Sequence, residues 1–305
     1  MTENQGPAHK KDMTRRRVIM AGGAVVAAAG VGAGVVATAS AGEEKGAASG
    51  AKAGQGEVCY RLTSETTEGP YYIDADKIRK DITEDKEGIP LTLRLKVVDS
   101  DTCKPLRKAA VDIWHCDALG IYSGYESMSQ GGPGGGAPPS GAPTDAPTGT
   151  PTGTPPSGGP GGGGGHSEPT DDERYLRGTQ LTDRHGFVEF TTIFPGWYQG
   201  RAVHIHTKVH VGGTMTDAGY EGGHTCHTGQ FFFAESAVLD SAKEEPYSTS
   251  TTTRTTLTED TIYDRSGVAG GLLKLSYRKG GMVRGVTGSI TMGVDPDETH
   301  DGTDL

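Results

Sequence analysis

Between Phe194 and Val209 the chain reads Phe-Pro-Gly-Trp-Tyr-Gln-Gly-Arg-Ala-Val-His-Ile-His-Thr-Lys-Val, which places Tyr198, Arg201, His204 and His206 within one short stretch. From Val203 to Val211 the residues alternate. On a β-strand Val203, Ile205, Thr207, Val209 and Val211 therefore share one face, and His204, His206, Lys208 and His210 the other. Two imidazoles spaced i, i+2 project together and are able to hold one ion of Zn, Cu, Fe or Ni. The same alternation also describes the polar face of an ordinary half-buried strand, so the histidine pair alone leaves both readings open.

Two tyrosines enlarge the pattern. Tyr198 precedes His204 by six residues, in a Pro-Gly-Trp-Tyr turn, and Tyr122 ends the run Asp112-Ile-Trp-His-Cys-Asp-Ala-Leu-Gly-Ile-Tyr. Trp114, Gly120 and Tyr122 form a W-x5-G-x-Y pattern. Pro195, Gly196, Tyr198, Arg201, His204 and His206 form P-G-x-Y-x-x-R-x-x-H-x-H. With Thr67–Tyr72 (Thr-Glu-Gly-Pro-Tyr-Tyr), Leu176–Gln180 (Leu-Arg-Gly-Thr-Gln) and Thr228–Gln230 (Thr-Gly-Gln), the chain from about Cys59 to Phe233 resembles the intradiol ring-cleavage dioxygenases, the catechol and protocatechuate 3,4-cleaving family. The resemblance implies a non-haem Fe(III) held by Tyr122, Tyr198, His204 and His206. It also implies that a catechol-type substrate and O2 yield a cis,cis-muconate-type diacid, and that both oxygen atoms are incorporated. In that scheme Tyr198 is the ligand that dissociates and takes up substrate protons, Arg201 stabilises charge developing on the ring, and Gln230 supports the site. A plain strand residue is the other reading of Gln230. Tyr72 is carried over only as part of the segment lining the approach to the iron.

The donor set suits that ion. A phenol with pKa near 10 costs about 4 kcal/mol to keep ionised at pH 7, so two of them need a strong compensating charge. A bound trivalent cation supplies it and deprotonates its own ligands. Tyrosinate is a hard anionic donor, which favours Fe(III) over Fe(II) and over zinc, whose sites use Cys, His and carboxylate. The competing readings are a related β-sandwich using the histidine pair for Zn or Cu, and a non-catalytic extracellular module.

The elements that must position these residues read as short strands. Leu91–Val98 alternates, Asp99–Pro105 supplies turn residues, and Ala109–Trp114 resumes a strand, which predicts an antiparallel pair feeding into Tyr122. Gly178–Gly186 reads as a strand end and turn, Phe187–Phe194 as the next strand, and Glu221–His227 as a loop whose His224 and His227 are weaker ligand candidates. Further strands are expected from Gln230, over Leu272–Tyr277, and over Val286–Met292. Trp114 is expected in the core, and His115 buried without a metal role. Few helical periodicities and many Gly-rich turns predict an all-β fold, an antiparallel β-sandwich of the intradiol dioxygenase type with long loops.

Of the 305 residues, 1–41 have the form of a twin-arginine export signal: Thr14-Arg-Arg-Arg17, an apolar run from Val18 to Ala37, and A-x-A sites after Ala39 or Ala41. A single membrane anchor is the alternative. Secretion is expected, with the export machinery as partner and iron taken up before crossing. Residues 42–57 read as a flexible leader, 58–295 as the sandwich and 296–305 as a frayed acidic tail. Beyond residue 41 the chain has 24 basic and 37 acidic side chains, a formal charge near −13, which repels nucleic acid and anionic membranes. Cys59, Cys103, Cys116 and Cys226 contain no C-x-x-C and, in an exported chain, favour disulfides of three possible pairings. Within 131–169 only Asp145, His166 and Glu168 are not Gly, Pro, Ala, Ser or Thr. That insertion has nothing to anchor a core, and it reads as a disordered segment, either a Pro/Thr-rich tether for contact with a cell wall or a glycosylated stretch.

Overall fold

The computed structural model describes residues 61–74, 77–129 and 167–303. The expected signal, the leader and all but the last three residues of the 131–169 insertion lie outside the described residues.

Two four-stranded sheets form a sandwich. The first has the order β4-β1-β10-β9, from Phe187–Ile193 (β4), Pro90–Asp99 (β1), Val286–Val294 (β10) and Lys274–Tyr277 (β9). The second has the order β3-β2-β5-β8, from Arg177–Leu181 (β3), Ala110–Trp114 (β2), His204–Val211 (β5) and His224–Phe232 (β8). A small ribbon pairs β6 (Thr214–Thr216) with β7 (Gly219–Glu221). Two short helices, α1 (Glu126–Ser129) and α2 (Glu235–Ser241), complete the named elements.

The expected antiparallel pair of β1 with β2 is corrected: they belong to different sheets. Both edges of β1 are occupied, by β4 antiparallel and by β10 in parallel (Leu91↔Val286 through Asp99↔Val294). The Asp99–Pro105 turn closes on itself instead, with the Asp99 carboxylate accepting from the backbone N–H groups of Asp101 and Thr102, both at 2.9 Å. Except for β1 with β10, every named pairing is antiparallel.

β1 shows what a half-buried strand looks like here. Leu91, Leu93, Leu95 and Val97 point into the core while Pro90 and Arg94 are exposed. β2 is buried throughout, and β5 over its first six residues. One face of the central pair, with Val111, Ile113, Ile205 and Val209, enters the sandwich core. The other lies against a second aromatic cluster of Tyr72, Trp114, Cys116, Tyr122 and Tyr125. The polar face of β5 is thus roofed by loops, not open to water.

Three further expectations change. Glu221–His227 is not one loop, because β8 begins at His224. Gly222 and Gly223 make the turn with φ of 74° and 73°, and a Cβ on Gly223 would lie 2.0 Å from the Val211 carbonyl oxygen. The tail after Asp295 is tied down through residue 303: His300 donates its backbone N–H to Thr225 (2.9 Å), its carbonyl accepts from the Thr228 hydroxyl (2.6 Å), and His224 Nε2 lies 3.0 Å from the Pro296 carbonyl. Of the cysteines, Cys103 is disulfide-bonded to a partner outside the described residues, whereas Cys116 and Cys226 are free and buried. Burial pushes both of these thiols up, that of Cys226 to about 12, so both are held as neutral thiols in the core.

Tyr247 pins the end of β4 to the segment before β1. Its buried hydroxyl donates to the Phe194 carbonyl at 2.6 Å and accepts the Ile89 N–H at 3.1 Å. Tyr247→Phe leaves that donor and acceptor unpaired in the core and should cost about 1–3 kcal/mol. Urea denaturation measures this, and an unchanged midpoint would show that the two backbone groups find other partners.

Candidate metal centre

Two loops carry the tyrosines, and their glycines let them touch backbone to backbone. A Cβ on Gly196 would sit 2.3 Å from the Ala118 carbonyl oxygen, and one on Gly120 (φ 87°) 2.3 Å from that of Trp197. The Gly196 N–H donates to the Asp117 carbonyl across this contact (3.0 Å), and the Asp117 carboxylate holds the N–H groups of Leu119 and Ile121. The glycines of both sequence patterns are therefore what allow Tyr122 and Tyr198 to share one site. Arg177 braces the same region: it donates from Nε to the Ser123 hydroxyl, from Nη2 to the Ser123 carbonyl and from Nη1 to the Tyr71 carbonyl, at 2.7–2.9 Å.

The four predicted ligands come together. His204 Nδ1 donates to the Ala202 carbonyl (2.6 Å), which leaves the Nε2 lone pair facing His206 Nε2 at 3.0 Å. The Tyr198 hydroxyl is 3.3 Å from the same His204 nitrogen. The Tyr122 ring meets Tyr198 and His206 edge-on, with centroids 5.7 and 6.1 Å away. Its hydroxyl is fully buried beside the Tyr198 phenol and makes no hydrogen bond of good geometry. An unpaired buried phenol costs about 1–3 kcal/mol, which an ion in the place of the missing partner would offset. Among the described residues no three His, Cys, Asp or Glu side chains gather to hold a metal, so a centre here depends on the tyrosines.

Protein electrostatics keep the cluster neutral. Burial, followed by the neighbouring Tyr198, pushes the Tyr122 phenol well above its ordinary pKa. Burial pushes Tyr198 to about 12, with the Arg201 charge opposing. Burial, followed by Arg201, lowers His204 to about 3, and burial with His204 lowers His206 further. Both imidazoles are already in the form a metal requires. The phenols must surrender their protons to it, and the hard-donor set of two phenolates and two imidazoles fits a ferric ion.

Around the cluster, Trp114 stacks on His206 (4.8 Å, 7° between planes) and is buried as expected. His115 bonds to the Cys116 carbonyl and the Thr192 hydroxyl and faces no other donor. Tyr72 lies behind Trp114. It is Tyr71 that stacks on Tyr122, with centroids 4.6 Å apart. His227 is held by Glu65 at 2.6 Å and His224 by the tail, so neither joins the cluster. Gln230 pairs with His206 across β5 and β8, accepts from Arg201 Nη2 through its Oε1 and donates to the Thr67 carbonyl at 3.0 Å. Arg201 Nε donates to Asp260 at 2.9 Å. Sequence reasoning missed Asp260, Tyr71 and the bracing role of Arg177. Only the Leu-Arg-Gly and Tyr-Tyr motifs carried a signal, and Asp260 lies in a segment with no motif.

Fold and site together define a β-sandwich with a buried cluster of two phenols and two imidazoles of a kind that suits a metal ion. A family model described as Dioxygenase matches residues 67–133. The solved intradiol ring-cleavage dioxygenase from Tetranychus urticae is 30% identical over 78% of this chain and 96% of its own, with a TM-score of 0.60. A second solved dioxygenase is 30% identical over 80% of this chain and 98% of its own, with a TM-score of 0.59. No curated protein sequence matches the chain significantly. The chain belongs to the intradiol ring-cleavage dioxygenases, oxidoreductases of a family that is generally Fe(III)-dependent.

The lowered imidazoles make stability depend on pH. His115 (about 4), His204 (about 3) and His206 are neutral in the fold but bind protons below about 6.5 when unfolded. Stability is therefore complete above that pH and is lost as pH falls toward 4, by at most about 1.4 kcal/mol per unit for each imidazole. Urea midpoints of the metal-free protein at neutral and mildly acidic pH should show this decline. A flat profile would mean that the imidazoles are not held neutral.

Proposed function

We propose that the chain is a ferric dioxygenase that opens a catechol-type ring between its two hydroxyl-bearing carbons, with Tyr122, Tyr198, His204 and His206 holding the iron. The observation that supports this best is the convergence of two imidazole Nε2 atoms with two buried phenols, one 3.3 Å from His204 Nε2 and the other without a hydrogen bond of good geometry. A bound ferric ion would supply an electron-withdrawing centre that opens a chelated catechol ring to O2, both of whose atoms enter the diacid product.

The chain's own residues divide the remaining work. Tyr198 is less deeply buried than Tyr122 and lies beside Arg201, whose charge opposes the upward push of burial on its pKa, so it is the phenol suited to exchange a proton with an incoming hydroxyl. Tyr122 is enclosed by Tyr71, Trp114 and Tyr125 and stays in place. Arg201 is fixed by Asp260 and Gln230 through Nε and Nη2, and among the described residues its Nη1 has no hydrogen-bond partner. That nitrogen is free to stabilise charge developing on a bound ring. The aromatic roof keeps water from the donors and strengthens these interactions.

The Arg15–Arg17 signal supports twin-arginine export of the folded protein to the outside, and the composition of 131–169 supports contact with a cell wall there. Replacing Arg15 and Arg16 by Lys should retain the protein in the cytoplasm, as cell fractionation would show. Unchanged secretion would exclude this route.

The iron-loaded protein should be red from tyrosinate-to-Fe(III) charge transfer and the zinc-loaded protein colourless. Tyr198→Phe should keep iron but lower catechol turnover by about 10²–10⁴-fold, and Tyr122→Phe should lower iron content and bleach the colour. Oxygen uptake and iron analysis test both substitutions. Wild-type values in each would remove the assignment.

A further inference from the structure

The segment from Thr252 to Tyr263 contains none of the motifs, yet it straps the Tyr198 turn from outside. The Thr252 carbonyl accepts the Trp197 indole N–H at 2.9 Å, and Tyr263 packs on Phe232 with ring centroids 4.8 Å apart. Between them Asp260 is wholly enclosed, with no exposed side-chain surface. One carboxylate oxygen, Oδ2, accepts both Arg201 Nε (2.9 Å) and the backbone N–H of Ala202 (2.7 Å). The other, Oδ1, accepts the N–H groups of Ile262 (2.8 Å) and Tyr263 (2.9 Å). The residue it grips has a second duty, because the Ala202 carbonyl, one peptide plane on from the gripped N–H, takes the Nδ1 proton of His204 and so turns Nε2 toward His206.

We propose that Asp260 is a positioning residue that couples the metal-facing imidazole of His204 to the substrate-facing guanidinium of Arg201 through a single carboxylate. The geometry makes the charge necessary. All four hydrogen-bonding neighbours of Asp260 are donors, so an amide in its place must set its NH2 against at least one pair of them. Freed from Oδ2, Arg201 keeps only its bond to Gln230 and no longer holds Nη1 in one place. The backbone at Ala202 loses its N–H anchor at the same time, which loosens the adjacent carbonyl and with it the orientation of His204. This inference rests on the proposed roles of Arg201 and His204 as substrate-facing and metal-facing groups.

The test is a cycle of Asp260→Asn, Arg201→Ala and the double variant, each read for iron affinity and, at saturating iron, for kcat and KM with catechol. Asp260→Asn alone should lose about 10–100-fold in iron affinity or turnover, the range expected when the partner of a ligand is removed. In the Arg201→Ala background the same change should move kcat/KM by less than about threefold while still lowering iron affinity, because the two routes separate. Fully additive losses in kcat/KM, or a lowered melting temperature with unchanged iron affinity and kcat/KM, would overturn the proposal. A further measurement needs neither turnover nor a folded Asp260 variant. In the metal-free full chain the Arg201 Nε–H resonance, assigned by its loss in Arg201→Lys, should be protected from solvent exchange. Exchange as fast as in a free arginine would overturn the proposal, whereas protection alongside failure to turn over any catechol would count against the proposed reaction and leave the positioning role standing.

Discussion

The structure is governed by the burial of four ionisable donors on the outer face of a sheet, beneath an aromatic roof. In water each would be solvated. Under Trp114, Tyr71 and Tyr125 the protein suppresses their charges, keeping the imidazoles unprotonated and the phenols protonated. The cluster leaves buried polar atoms without good partners, and a strongly charged cation is a group that two phenols and two imidazoles would fit. Preorganisation follows, since the side chains are held by aromatic packing and, for His204, by the Ala202 carbonyl.

That packing is bought with backbone proximity. The two tyrosine loops touch because Gly120 and Gly196 lack side chains, and any Cβ there would collide with a carbonyl. Arg177 reaches the same region from the first strand of the second sheet, binding the residue after Tyr122 and the carbonyl of Tyr71 with one rigid fork. On the other side the Asp260 strap fixes the entry to β5. Three segments far apart in sequence therefore meet at a volume a few ångströms across. This is why the site depends on the whole sandwich and not on the histidine strand alone.

How much of this was legible in the sequence follows from what each signal encodes. Alternation along Val203–Val211 correctly put His204 and His206 on one face, because side-chain direction is local. It could not reveal that this face is covered, since the cover comes from Tyr71–Tyr72, Trp114 and Tyr122, far away along the chain. The β1 and β2 strand patterns were legible while their pairing was not: a period of two says nothing about which strand lies alongside, and β1 pairs with β10 nearly two hundred residues on. Gly-rich composition at Glu221–His227 concealed the start of β8, and the polar tail concealed its bonds to Thr225 and Thr228. Asp260 was invisible for the same reason: a lone carboxylate in a polar stretch has no local mark of what it will hold.

The polar face of β5 shows how such a strand settles its burial residue by residue. Lys208 is paired with Glu68 at 2.5 Å and lies over the Tyr72 ring. His210 is bonded through Nδ1 to the Thr225 hydroxyl at 3.1 Å. A buried ion pair is weak support for stability, because desolvation opposes the attraction, but removing either member would strand a charge. Lys208 is therefore held in place more by the cost of losing Glu68 than by any gain from having it. His204 and His206 differ in kind: their inward nitrogens face each other and two phenols, none of which can satisfy the rest as neutral groups without leaving a donor or a lone pair over. On that face Lys208 has its carboxylate and His210 is bonded through one ring nitrogen with the other left unpaired, whereas at His204 and His206 two imidazoles meet two phenols, a set that a cation would complete.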